Sequence, residues 1–146
     1  MRSLWLASLV VLACVGNPIT STFAHASCDT DVVIVKGRVA HQPQNAVVRV
    51  YLVYSKRQRG ESGEVTVENG RFTIQIPFLT QSRAPVLIGS LLEKCGRKPK
   101  TVVVTLLGSD PNQEWDSVSL ELAKDFEMAD PSAYAPRAEI VLNGPQ

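Results

Sequence analysis

Apolar and polar side chains alternate with a period of two along much of the chain beyond residue 30. No long segment keeps a 3.6-residue apolar rhythm, so the pattern predicts strands joined by turns. Val32 to Val39 reads as a first strand, followed by a turn over His41 to Asn45 that Pro43 stiffens. Val47 to Tyr54 is a second, apolar on both faces except at Arg49 and therefore expected in the middle of a sheet. After a polar loop from Ser55 to Gly63 comes the sharpest local signal, EVTVENGRFTIQIP over Glu64 to Pro77. Val65 and Val67 alternate up to Asn69-Gly70, a dipeptide suited to the positive φ angles of a tight hairpin. Phe72, Ile74 and Ile76 then alternate with Arg71, Thr73 and Gln75. Pro77, which has no N–H to donate, is expected to end the ladder.

Val86 to Leu92 forms a fifth expected strand with a candidate bulge at Gly89, and Thr101 to Leu107 a sixth beyond the basic turn Gly96 to Lys100. Ser117 to Leu122 and Ala138 to Leu142 present their apolar residues on one side and complete the set. Residues 123–137 leave two readings open, an irregular connection or one or two helical turns over Leu122 to Met128, bounded by Pro131 and Pro136. Seven or eight strands with short turns predict an all-β fold, an antiparallel β-sandwich of prealbumin-like or immunoglobulin-like kind, because two one-sided sheets must cover each other's apolar faces. No internal repeat or low-complexity tract interrupts the pattern.

The first 26 residues follow a different logic. Arg2 supplies a basic start, Leu4 to Val15 an apolar stretch of 12 residues, and Ala24-His25-Ala26 a small-x-small cleavage pattern before Ser27. This is the layout of a secretory signal peptide, cleaved after Ala26, which leaves residues 27–146 as one sandwich domain in the secreted or periplasmic space. The apolar stretch is shorter than the roughly 20 residues a membrane-spanning helix requires. A rival reading places a lipid on Cys14 in Leu12-Ala13-Cys14, but Leu12 is bulky for that role and Cys14 lies early. Only Arg2 among the fifteen basic residues falls in this leader, so the remainder has fourteen basic against fourteen acidic residues. A balanced chain exerts no long-range pull on nucleic acid.

Removing the leader leaves two cysteines, Cys28 and Cys95. An oxidising compartment favours their pairing, with two free thiols as the alternative, and closing so long a loop is worth roughly 4 kcal/mol in the chain-entropy treatment.

The string VKGRVAHQPQNAVVRVYLVY followed by EVTVENGRFTIQIP, over Val35 to Pro77, resembles the transthyretin-like, carboxypeptidase-regulatory-like β-sandwich modules. The likeness consists of a strand carrying Gly37-Arg-Val39, a short turn with a proline, the Ala46 to Val50 strand, and a threonine strand turning through Asn69-Gly70 into Phe72. It implies a sandwich acting as a non-catalytic accessory, adhesion or ligand-binding module. A related branch of that fold hydrolyses 5-hydroxyisourate with histidines, an arginine and a Tyr-Arg-Gly-Ser ending. Here the mature chain offers only His41 and ends Leu142-Asn-Gly-Pro-Gln146, so no catalytic site carries over.

His41 without partners makes neither a metal site nor a triad and reads as a solvated turn residue. Asp110, Asn112, Glu114, Asp116 and Glu121 superficially mimic a calcium loop, yet Trp115 stands where the EF-hand needs glycine, so no metal and no other cofactor is expected. Lys56, Arg57 and Arg59 crowd one loop, and Lys94, Arg97, Lys98 and Lys100 another; each set could meet an anionic glycan, phosphate or lipid surface or could simply keep the chain soluble. Trp115 and Tyr134, placed in two long late loops, are candidate anchors for a partner or sugar ring, or else seal the end of the core.

The reading is thus an exported, non-enzymatic binding or structural module with a protein or glycan partner, working through loops or a sheet edge, with Lys36 or Lys100 as edge guards. Its alternatives are a small extracytoplasmic hydrolase and a lipid-tethered envelope component.

Overall fold

A computed structural model describes residues 28–56, 58–80 and 95–146. The expected fifth strand over 86–92 lies outside the described residues. Nine strands and one four-residue helix build the rest: β1 (Asp29–Ala40), β2 (Val47–Ser55), β3 (Gln58–Thr66), β4 (Arg71–Thr80), β5 (Thr101–Leu107), β6 (Glu114–Glu121), α1 (Leu122–Asp125), β7 (Phe126–Asp130), β8 (Ala133–Pro136) and β9 (Ile140–Asn143).

They form two packed sheets, as the all-β pattern requires. The four-stranded sheet runs β3-β2-β5-β6, so β2 does lie centrally. The five-stranded sheet runs β4-β1-β8-β7, with β9 also joined to β1. Antiparallel pairing dominates, but β8 and β9 both run parallel to β1: β8 meets Val32 and Val33, and β9 meets Gly37 to Ala40. One flank of β1 is therefore shared by two short strands, while β4 fills the other flank over its whole length.

The alternation read from the sequence sets the faces. Val33, Val35 and Val39 of β1, Val48, Val50 and Leu52 of β2, and Phe72, Ile76 and Phe78 of β4 all lie in the shared core. Their neighbours Lys36, Arg38, Arg71, Thr73 and Gln75 are exposed. Phe78 and Phe126 are among the largest fully buried side chains, and burial of each such ring contributes about 2–3 kcal/mol.

Four local expectations are corrected. The Ser55 to Gly63 loop is mostly strand: β3 begins at Gln58, and its polar side chains hid it because it lies at a sheet edge with Gln58 to Ser62 exposed. The Asn69-Gly70 turn is present, with φ of 52° and 70° and a single bridge between Glu68 and Arg71, but the flanking strands then part. Val67 donates to the Ala46 carbonyl in one sheet and Val39 donates to the Gly70 carbonyl in the other, so the turn spans the two sheets instead of closing a hairpin within one. Pro77 does not end β4, which continues to Thr80; among the described residues β4 pairs only with β1, and an edge strand tolerates a missing N–H. Residues 123–137 are neither loop nor extended helix, since after α1 the chain makes the β7–β8 hairpin.

Tyr54 ends the inner row of β2 and donates its hydroxyl hydrogen to Glu61 across the β2–β3 pair. Its ring lies against Gly60, where an added Cβ would collide with it. Burial, then the hydrogen bond and the negative charge of Glu61, push the phenol well above its ordinary value. The unfolded tyrosine loses its proton near pH 10 while the folded one keeps it, so the folded state binds more protons there and stability falls as pH rises further. The stabilisation that Tyr54 provides over Tyr54→Phe should be complete at about pH 9 and smaller at about pH 12. Urea melts of both proteins across that range check this, and a constant difference would contradict it.

Candidate binding surface

β2 and β5 pair in antiparallel register with Val53 opposite Thr101. This brings the two expected basic loops together, because Lys56 follows the end of β2 and Lys100 precedes the start of β5. The Lys100 amide donates to the Val53 carbonyl at 2.8 Å, and the Leu122 amide donates to the Lys100 carbonyl at 2.9 Å, so the backbone at Lys100 is held by both neighbours. A concavity of about 760 Å³ opens on the outer face of the four-stranded sheet at this end. Val53 and Val103 line it together with Ser55, Thr101 and Ser119, and Lys56 and Lys100 stand at it. Its volume falls within the roughly 300–1,000 Å³ of small-ligand clefts.

One row further along the same face, the Arg59 guanidinium lies over the Tyr51 ring, 4.6 Å from its centroid. Tyr51 pairs with Val103, so this stacked cation sits beside the concavity. Beyond it Arg49 is tied to Glu64 at 2.6 Å, which cancels its charge. The positive field is thus concentrated at the Lys56–Lys100 end.

The other candidates fall elsewhere. Arg57 lies outside the described residues. Arg97 and Lys98 are exposed in the segment that leads from Cys95 to β5, and the Lys98 ammonium is 5.3 Å from the Tyr134 ring centroid. Tyr134 is no loop residue: it lies in β8, only 6% exposed, with its ring 6.2 Å from that of Phe78. Its place is in the core beneath Lys98, and its hydroxyl makes no hydrogen bond among the described residues. Trp115 likewise belongs to a strand, β6, where it keeps 38% of its surface exposed and rests against Gly108. Neither joins the Lys56–Lys100 surface.

Lys36 and Lys100 are not edge guards, because β1 and β5 are both interior strands. His41 occupies the turn after β1 with φ of 52°. The acidic string resembling a calcium loop is used structurally: Asp110 accepts the Asn112 amide, and Asp116 accepts the Asn143 amide at 2.7 Å, fastening β9 to β6. Glu121 pairs with Lys124. No group of three or more His, Cys, Asp or Glu residues placed to hold a metal occurs among the described residues.

The disulfide is formed, joining Cys28 to Cys95 with a Cα separation of 5.5 Å. It ties the residue preceding β1 in one sheet to the segment that enters β5 in the other. No helix among the described residues is long and apolar enough to cross a membrane. Comparison of the chain with protein-family models, with curated proteins and with solved structures finds no match.

Proposed function

We propose that the protein is an exported, secreted or periplasmic, non-catalytic binding module that recognises an anionic partner through the loop end of its four-stranded sheet. The observation that carries this reading is the convergence of Lys56 and Lys100, far apart in sequence, on one hydroxyl-lined concavity floored by Val53 and Val103. Lysines attract anions, hydroxyls donate and accept hydrogen bonds, and the valines supply apolar contact for a carrier such as a sugar ring. Export is supported by the leader pattern and by a disulfide, a bond that persists in oxidising compartments. The partner is an acidic glycan or an acidic protein segment.

Retention of the mature protein on a sulfated glycosaminoglycan matrix and on polygalacturonate tests the reading. The parent should bind at low salt, and Lys56→Glu with Lys100→Glu should weaken binding about tenfold or more. A parent that passes through both matrices, or a double variant that binds as the parent does, would overturn the proposal.

A further inference from the structure

The outer face of the five-stranded sheet carries a charge arrangement that folding alone does not favour. In the β1–β4 register Arg38 stands directly opposite Arg71, and Lys36 stands opposite Thr73 on the same face. Like charges placed opposite one another weaken a strand pair. Glu139 relieves Arg38 with a 3.2 Å ion pair, but Lys36 and Arg71 make no ion pair among the described residues. Arg137 approaches from the far side, its Nε donating to the Phe126 carbonyl and one terminal nitrogen 3.9 Å from Glu127.

These cations surround a real depression. β8 leaves β1 after Val33 and β9 joins it only at Gly37, so the connection over 136–139 swings away from the sheet where β1 changes partner. A notch of about 360 Å³ results, lined by Lys36, Arg71, Thr73 and Arg137, with Gly37 and Phe72 contributing to its wall.

We propose that this notch is a binding site for a tetrahedral oxyanion, the phosphate or sulfate ester group of a small ligand or glycan. The donors come from three separate elements. Two arginines supply planar forks, Lys36 a point charge and Thr73 a hydroxyl, a set that suits an anion offering acceptor oxygens in several directions better than a flat carboxylate. The site lies on the opposite sheet from the Lys56–Lys100 concavity and is independent of it. The unrelieved opposition of Arg38 and Arg71 is then a stability cost that the bound anion removes.

NMR titration of the mature protein with inorganic phosphate, inorganic sulfate and glucuronate at constant ionic strength provides the test. Phosphate or sulfate should saturate one site, shifting the amides of Gly37, Thr73 and Ala138, with glucuronate about fivefold weaker or more. The tighter of the two oxyanions identifies the ester. Arg71→Gln and Lys36→Gln should each weaken binding about fivefold or more, while Arg71→Gln raises Tm by about 2 °C because it relieves Arg38. Absence of saturable binding, shifts confined to the other sheet, unchanged affinity in both variants, or a lower Tm for Arg71→Gln would each overturn the proposal.

Discussion

Replacing both Cys28 and Cys95 with serine is expected to remove about 4 kcal/mol of unfolding free energy, the value the chain-entropy treatment gives for a loop of this size. The two cysteines are 67 positions apart, and β1 to β4 all lie within the loop they close. Without the bridge the unfolded chain gains the freedom that the loop denied it. The folded state also loses its covalent tie between the residue preceding β1 and the segment carrying Lys98 and Pro99 into β5. Lys98 should then no longer hold its place over Tyr134. Guanidinium melts of the oxidised parent and the double variant measure the difference. A loss below about 1 kcal/mol would mean that the terminus is held chiefly by the β1–β4 ladder.

Gly37→Ala should be nearly as damaging, at about 3 kcal/mol, the upper end of what overpacking ordinarily costs. Gly37 pairs with Ile140 where β9 joins β1, and it stands opposite Phe72 on β4. A Cβ there would fall on the Ile140 carbonyl oxygen and within 2.8 Å of the tip of the Phe72 ring. The ring alone could shift, but the carbonyl belongs to the pairing strand, so β9 itself has to move away. Its departure would expose Leu142, which is fully buried, and break the hydrogen bond from the Asn143 amide to Asp116. Urea melts give the stability change, and hydrogen exchange at β9 amides locates it. Parent-like exchange at Val141 and Leu142 would show that β9 tolerates the methyl group.

The same glycine illustrates what the sequence discloses. Gly37-Arg-Val39 stands out within an otherwise apolar run, yet its purpose depends on a strand about a hundred residues later, which no local pattern announces. Alternation assigned the inward face of β4 correctly because Phe72, Ile76 and Phe78 each bury a large side chain. In β3, Val65 is the one large apolar residue, and backbone pairing with β2 makes the strand, so alternation had almost nothing to report. Asn69-Gly70 disclosed a turn but not that its two arms belong to different sheets, since φ angles fix a reversal and long-range partners fix where each arm goes.

The candidate surfaces were legible to a lesser degree. Lys56 and Lys100 could be marked as members of basic loops, but their meeting follows from the β2–β5 register, a non-local fact. Tyr134 looked like an exposed anchor because it sits among Pro131, Pro136 and small residues; the β7–β8 hairpin turns it inward instead. Arg71 and Lys36 drew no attention, because opposition of charge across two strands becomes visible only once Arg38 and Arg71 are known to face each other.

The division of one flank of β1 between β8 and β9 has a consequence for biogenesis. The strand near the front of the chain is completed by its last elements, so a nascent polypeptide carries an uncapped backbone edge through most of translation. Contacts of such long sequence range are slow to form and leave the growing chain open to self-association. A product terminated before Ile140 would keep part of that edge bare, which makes holdase chaperones a requirement of synthesis for this protein rather than of its mature life.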